Sequence, residues 1–117
     1  MEPLTRVRAI CLALPESSER LSHGSPTFFV RTKTSFVKFI DGGYDEPGPT
    51  MWCPAPPGVQ AELVDAEPER FYIPPYVGHS GWIGVRLDVE PDWDEIAEII
   101  RDAYRKVAPK KLSASVD

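Results

Sequence analysis

Thirteen prolines divide this chain of 117 residues into short segments. Proline lacks an amide hydrogen and fixes its own backbone angle, so it interrupts helices and central strands. Almost all of these prolines lie between apolar, periodic stretches and therefore mark the boundaries of predicted elements. The length, together with an ordinary globular composition of 42% hydrophobic residues, predicts a single domain over residues 1–117.

Two helices are predicted near the two ends of the chain. Residues 3–14 carry apolar side chains at helical spacing, and Pro15 ends the pattern. Asp92 is a good N-cap for a second, strongly periodic segment at 93–107. Residues 110–117 are expected to form a flexible tail.

Between these helices, the patterns predict strands and one shorter helix. Apolar runs joined by a polar connection indicate a hairpin over residues 27–40, and the polar stretch before it suits a short edge strand. The order is one helix, three or four strands, a helix, two strands and a helix, which predicts an α+β fold with helices packed on an antiparallel sheet. The remaining strands are predicted at 50–53, 71–73 and 82–87, with the short helix after Pro57.

The charge balance limits the classes of partner. Eighteen acidic residues outnumber 13 basic ones, which gives a net charge of −5. A chain of this charge repels phosphate polymers unless its basic residues gather on one face. Its apolar runs are too short to cross a bilayer, and its first residues lack the features of a secretory or transit signal. We therefore expect a cytoplasmic protein with no membrane partner.

Residues that carry catalytic chemistry are sparse. Cys53 and His79 are one imaginable nucleophile and base, but no glycine elbow, oxyanion-hole motif or orienting acid accompanies them. Cys11 and Cys53 are expected to be buried thiols, because neither has a partner at metal-ligand spacing. The histidines, His23 and His79, lack such spacing as well. The sequence therefore predicts no enzyme, no metal site and no cofactor.

Basic residues cluster in two places despite the acidic total. The hairpin carries Arg31, Lys33 and Lys38, and the end of the last helix carries Arg105 and Lys106. Such clusters contact phosphates and position a nucleic acid without reading its base sequence. For the helix end there is a simpler explanation, because cations are favoured at a helix C-terminus.

An aromatic loop offers a site of a different class. Tyr72, Tyr76, His79 and Trp82 flank a stiff pair of prolines. These side chains are suited to line a groove for a small ligand or a partner protein. They are equally suited to fill the junction between the loop and the sheet.

Four stretches of the sequence carry a family resemblance. They are Leu14-Pro15-Glu16, His23-Gly24-Ser25-Pro26-Thr27-Phe28, residues 71–85 and Asp102-Ala103-Tyr104-Arg105. Together they resemble the MmcQ/YjbR-like family over about residues 4–111. The resemblance implies a small bacterial cytoplasmic protein with a fold similar to that of secretion chaperones. Many members of the family are described as DNA-binding, because paired β-hairpins suggest a double-wing motif.

The resemblance implies that the double-wing motif of this chain would lie in the hairpin at 31–36 and in the extended segments at 71–73 and 82–87, where Arg86 is a further candidate nucleic-acid-binding residue. The acidic loop at 41–46, next to the supposed wing, departs from a typical DNA binder. The sequence thus predicts a non-enzymatic protein, monomeric or weakly dimeric, that binds DNA weakly through the hairpin and the basic end of the last helix. The alternative is a small-ligand or protein-binding module that uses the aromatic loop at 72–82.

Overall fold

The computed structural model describes residues 2–42 and 48–116. In chain order the elements are α1 (Pro3–Leu12), β1 (Ser17–Ser22), β2 (Ser25–Val30), β3 (Thr34–Ile40), β4 (Thr50–Cys53), α2 (Val59–Ala66), β5 (Phe71–Tyr72), β6 (Ile83–Arg86), α3 (Trp93–Val107) and α4 (Lys110–Ser113). A 3-10 turn over Gly78–Ser80 lies between β5 and β6. Within these residues the six strands form one antiparallel sheet in the order β1-β2-β3-β4-β6-β5. The predicted α+β fold is therefore confirmed.

One face of the sheet carries the hydrophobic core. Successive strand residues point to opposite faces, and Phe28, Met51 and Val85 belong to the core, as their alternation predicts. All four described helices add apolar side chains to this same core, so they lie together on one side of the sheet. The main contributors are Val7 and Cys11 of α1, Val59 and Leu63 of α2, Ile96, Ile100, Ala103 and Tyr104 of α3, and Leu112 of α4.

Strand β3 contains a bulge that connects the hairpin to the last long helix. The register between β2 and β3 shifts beyond the pair Phe28 and Val37, so Phe36 has no partner in the ladder. Because of this extra residue, Phe36 and Val37 both belong to the core although they are consecutive. The Phe36 ring meets the Tyr104 ring edge to face, with 5.4 Å between the centroids. The bulge thus fixes the hairpin against α3.

Helix α3 begins as its sequence predicts. The Asp92 carboxylate accepts hydrogen bonds from the backbone N–H groups of Asp94 and Glu95, at 3.1 and 3.3 Å. These bonds satisfy two of the amides that have no partner within the first helical turn. The same two acidic residues also complement the positive end of the helix dipole.

The C-terminal segment differs from the expected flexible tail at 110–117. Lys110–Ser113 form α4, and Leu112 and Val116 pack against the core. The Ser113 hydroxyl also donates a hydrogen bond to the Arg105 carbonyl oxygen at 3.2 Å. Two apolar residues in a short polar segment are too few to form a periodic pattern in the sequence. The folding of this segment is therefore visible only from its packing against the core.

Candidate functional site

The sheet has a second face that points away from the helices, and we call it the outer face. One row of cross-strand partners runs across it through all six strands, from Arg20 at one edge to Tyr72 at the other. Phe29 and Trp52 are buried on this face but do not belong to the core cluster, which shows that the two faces are separate. The outer face comprises Ser18, Arg20, Ser22, Ser25, Thr27, Phe29, Ser35, Lys38, Ile40, Thr50, Trp52, Tyr72, Gly84 and Arg86.

The charge of the outer face has one sign. It carries Arg20, Lys38 and Arg86 and no aspartate or glutamate, although the whole chain has a net charge of −5. Within the described residues these three cations form no ion pair. The ion pairs there involve five other arginines, namely Arg8, Arg31, Arg70, Arg101 and Arg105. Among the described residues, no carboxylate therefore forms an ion pair with the three cations of the outer face.

Two of these cations lie on aromatic rings. The Arg20 guanidinium carbon is 3.7 Å from the Phe29 ring centroid, and Nη1 of Arg20 donates to the Thr32 carbonyl oxygen at 2.9 Å. The Arg86 guanidinium carbon is 5.3 Å from the Tyr72 ring centroid. The Nε of Arg86 is buried and has no hydrogen-bond partner among the described residues. Each end of the face thus presents a cation held against an aromatic ring.

A chain of hydrogen bonds holds Tyr72 flat on the sheet. The Trp52 indole N–H donates to the Tyr72 hydroxyl at 2.8 Å. The Thr50 hydroxyl lies 2.9 Å from the Tyr72 hydroxyl and donates its own proton to the Val85 carbonyl oxygen at 2.9 Å. Tyr72 is therefore the donor to Thr50. Gly84 lies under the ring, where a Cβ atom would come within 2.6 Å of Tyr72 Cε2.

The residues predicted to bind nucleic acid occupy three regions. Lys38 and Arg86 lie on the outer face, whereas Arg105 and Lys106 lie on α3, across the sheet from it. Arg105 is 3.8 Å from the Asp102 carboxylate, and Lys106 is exposed. The structure does not bring these pairs together on one surface.

The hairpin tip is the third location. Arg31 forms an ion pair with Glu16 at 2.9 Å, whereas Lys33 is exposed. The Tyr104 hydroxyl donates to the Pro15 carbonyl oxygen at 2.6 Å, so the last turns of α3 and the hairpin tip lie at the same end of the molecule. Of the two tip cations, only Lys33 has no ion pair within the described residues.

The aromatic residues of the alternative site are dispersed. Tyr72 is held on the outer face, Trp82 is half-buried, and His79 is exposed in the 3-10 turn. Tyr76 is 87% exposed and has a positive φ of 67°. The Gln60 amide donates to the carbonyl oxygens of Gly78 and Trp82, at 2.7 and 2.6 Å, and so anchors the loop to α2. Two surface cavities in the described part of the chain are lined by residues other than these four aromatic side chains.

Among the members of the outer face that sequence reasoning missed, three carry one of its cation–aromatic contacts and its central hydrogen bond. Arg20, Phe29 and Trp52 each lie in a strand pattern, but the pattern does not say which residues of distant strands become neighbours. The available signal was the alternation in β1 and β2, which places Arg20 and Phe29 on the same face once the register is known. The predicted acidic loop at 41–46 lies largely outside the described residues, since 43–47 are not among them.

The cysteines are buried thiols, as expected from the sequence. Cys11 and Cys53 are both free and buried. Burial raises the pKa of Cys53 to about 12 and the pKa of Cys11 well above its ordinary value. Over residues 2–42 and 48–116, no cluster of three or more histidine, cysteine, aspartate or glutamate side chains is placed to hold a metal ion. No helix in those ranges is long and apolar enough to span a bilayer.

Comparisons with known proteins agree with this architecture. The YjbR family model matches residues 12–106. Among solved structures, the fold is similar to that of Deinococcus radiodurans protein DR2400, whose family-model domain is DUF419. The TM-score is 0.77 at 20% sequence identity, covering 99% of this chain and 86% of that one. No curated protein matches the sequence. Since the family match spans the sheet from β1 to β6 and nearly all of α3, the chain belongs to the YjbR family.

Proposed function

We propose that the protein is a non-enzymatic DNA-binding protein whose contact surface is the outer face of the sheet. One observation carries the proposal. In a chain with a net charge of −5, the described strand residues of this face include Arg20, Lys38 and Arg86 and no aspartate or glutamate. Cations that form no ion pair among the described residues are suited to contact phosphates and to release the counterions of a nucleic acid.

The placement of the cations supports weak binding without base specificity. Lys38 lies near the middle of the face, and Arg20 and Arg86 lie towards its two edges. Lys33, exposed at the hairpin tip, adds a cation near Arg20, which itself donates to the Thr32 carbonyl oxygen. Contacts of this kind position a phosphate backbone and carry no sequence information. The acidic remainder of the surface limits the affinity.

The non-enzymatic part of the proposal is supported by the state of the thiols. The nucleophile in cysteine catalysis is the thiolate. With a pKa raised to about 12, the Cys53 thiol is protonated at neutral pH. His79, its imagined base, is exposed in the 3-10 turn, whereas Cys53 is fully buried in the core.

The test is a titration of fluorescently labelled DNA by the protein, followed by anisotropy at low and moderate salt. We expect binding that weakens as salt rises, since each released counterion contributes to the salt dependence. The double variant Lys38→Glu, Arg86→Glu should lose at least tenfold in affinity. The milder pair Lys38→Gln, Arg86→Gln should lose less and should retain the wild-type melting temperature.

The matched control changes the same total charge on the other side of the sheet. Lys110→Glu, Lys111→Glu alters two exposed cations of α4, so its affinity should change much less than that of the outer-face variant. Equal losses in the two variants would assign binding to net charge alone and would overturn the proposal. Absence of binding at low salt would overturn it as well.

A second candidate function is favoured by one observation in the aromatic loop. Tyr76 is 87% exposed and Ile73 is 58% exposed, although both are large apolar side chains on a loop anchored to α2. Exposed aromatic residues on a rigid loop are a common form of binding surface. On this alternative, the loop at 72–82 binds a small ligand or a partner protein, and the cations of the outer face have no role.

A further inference from the structure

The width of the outer face bears on which form of DNA it can accept. Six strands in one sheet have five inter-strand spacings, which together measure about 24 Å. The major groove of duplex DNA is only about 12 Å wide, and it admits a helix or a two-stranded ribbon. A six-stranded face is too broad to enter the groove, so it meets a duplex only at its outer phosphates.

Two guanidinium groups of the face lie over aromatic rings. The Arg20 guanidinium carbon lies 3.7 Å from the centre of the Phe29 ring, and Arg20 is an exposed residue. At the far edge, Arg86 and Tyr72 form a second such pair at 5.3 Å. Unpaired bases stack on aromatic rings and on guanidinium planes, and these contacts need base faces that a duplex hides within its own stack.

Between the two pairs, the described strand residues of the outer face include one cation, Lys38, and no aspartate or glutamate. Lys38 lies in the same cross-strand row as Arg20 and Tyr72, and it is half-exposed. Ser18 and Ser35 flank Phe29 in the neighbouring row. A single strand laid across the strands would therefore meet a base-stacking position, a phosphate contact and a second base-stacking position in turn.

We propose that the outer face selects single-stranded DNA over duplex DNA, with base stacking on the Arg20 guanidinium that covers Phe29, phosphate contact at Lys38, and a second stacking position at Arg86 and Tyr72. This inference rests on the proposed function, since it uses the same surface. It adds that the bases contribute to affinity and not only the phosphates.

The experiment compares three labelled probes of equal length by anisotropy. They are a 12-nucleotide single strand of mixed sequence, its duplex, and a 12-unit abasic deoxyribose phosphate. We expect the single strand to bind at least fivefold more tightly than either of the other two. The abasic probe carries the same backbone charge as the single strand, so the difference between them isolates stacking.

A conservative substitution separates stacking from charge. Arg20→Lys keeps the cation but removes the planar guanidinium, so the preference for the single strand should fall several-fold while the salt dependence stays unchanged. The matched control is Arg6→Lys, because Arg6 lies 5.3 Å from the Trp93 ring on the helical side of the sheet. This control should change neither the preference for the single strand nor the salt dependence.

The outcomes distinguish the inference from the proposed function. Equal or tighter binding of the duplex, still weakened by Lys38→Glu, Arg86→Glu, overturns the single-strand preference and leaves DNA binding in place. Equal binding of the abasic probe and the single strand also overturns the inference, because affinity then comes from phosphates alone. Absence of binding to all three probes, or binding that the double variant does not weaken, overturns both.

Discussion

Trp52 and Tyr72 are joined by a hydrogen bond that crosses an intervening strand. The Trp52 indole nitrogen on β4 lies 2.8 Å from the Tyr72 hydroxyl on β5, and β6 runs between them. The residue of β6 in register with both is Gly84, which has no side chain to block the path. The Tyr72 hydroxyl in turn donates a hydrogen bond to the Thr50 hydroxyl, which donates to the Val85 carbonyl oxygen. Hydrogen bonds as well as packing therefore hold the outer face together.

A methyl group at Gly84 should disrupt this arrangement. In Gly84→Ala the new Cβ would lie 2.6 Å from Tyr72 Cε2, which forces the ring off the sheet. Overpacking of this kind costs about 1–3 kcal/mol of unfolding free energy. Denaturant unfolding measures it, and the same substitution in a Tyr72→Ala background should cost clearly less. An equal cost in both backgrounds would show that Tyr72 is not the obstacle.

Removal of one hydroxyl group tests the hydrogen-bond chain. Tyr72→Phe leaves the Trp52 N–H without its acceptor and Thr50 without its donor, while the ring stays in place. The loss of unfolding free energy should be about 1–3 kcal/mol, the usual cost of a buried polar group left unpaired. Tyr76→Phe alters a side chain that is 87% exposed and should have no measurable effect. Similar destabilisation in the two variants would contradict the prediction.

The hairpin tip holds two residues in an unfavourable backbone conformation. Arg31 and Thr32 have φ values of 53° and 57°, as a type I′ turn requires, although glycine or asparagine suits these positions better. Thr32→Gly should therefore raise the unfolding free energy by about 0.5–1 kcal/mol. As a control, Thr34→Gly places glycine at the start of β3, where φ is not positive, and should lower stability. The calorimetric melting temperature should rise in Thr32→Gly and fall in Thr34→Gly.

Stability should fall at alkaline pH because of the buried thiols. The pKa of Cys53 is raised from 9.0 to about 12 in the folded chain. A raised pKa means that the folded state retains a proton that the unfolded state releases above pH 9. The stabilising contribution is therefore fully present below pH 9 and is lost as the pH rises towards 12.

Guanidinium unfolding under reducing conditions checks this pH dependence. Above pH 9, the unfolding free energy should fall by up to about 1.4 kcal/mol per pH unit for each buried thiol whose pKa is raised. Cys53→Ala lowers stability at every pH through the cavity it creates, but its slope should be flatter than that of the wild type. If the unfolding free energies of the wild type and Cys53→Ala fell equally with pH, Cys53 would not titrate in this range.

The exposed loop tyrosine separates the two candidate functions. Tyr76→Ala removes a side chain that lies outside the outer face and is 87% exposed. On the proposed function, its DNA affinity and melting temperature should match those of the wild type. A several-fold loss of DNA affinity in this variant would place the contact surface on the loop and contradict the assignment to the outer face.

Much of the secondary structure followed from the sequence because its signals are local. The cap at Asp92 and the period of α3 lie within one continuous segment, and so does the hairpin of β2 and β3. The core positions of β6 followed from simple alternation. The bulge at Phe36 did not, because an extra residue becomes visible only when a strand is compared with its partner. The packing of Leu112 in α4 depends in the same way on a distant core.

For the candidate site, too, local sequence patterns and tertiary structure determine different things. The residues suggested by clustering in the sequence, such as Arg31 and Arg105, turned out to have carboxylate neighbours at Glu16 and Asp102. Local spacing was enough to establish the fold class and the family resemblance, because turns, caps and periodic patterns act over a few residues. Strand order and register settled which cations share a surface. They bring Arg20, Lys38 and Arg86 together from three separate strands, and each register is stabilised by core packing on the opposite face.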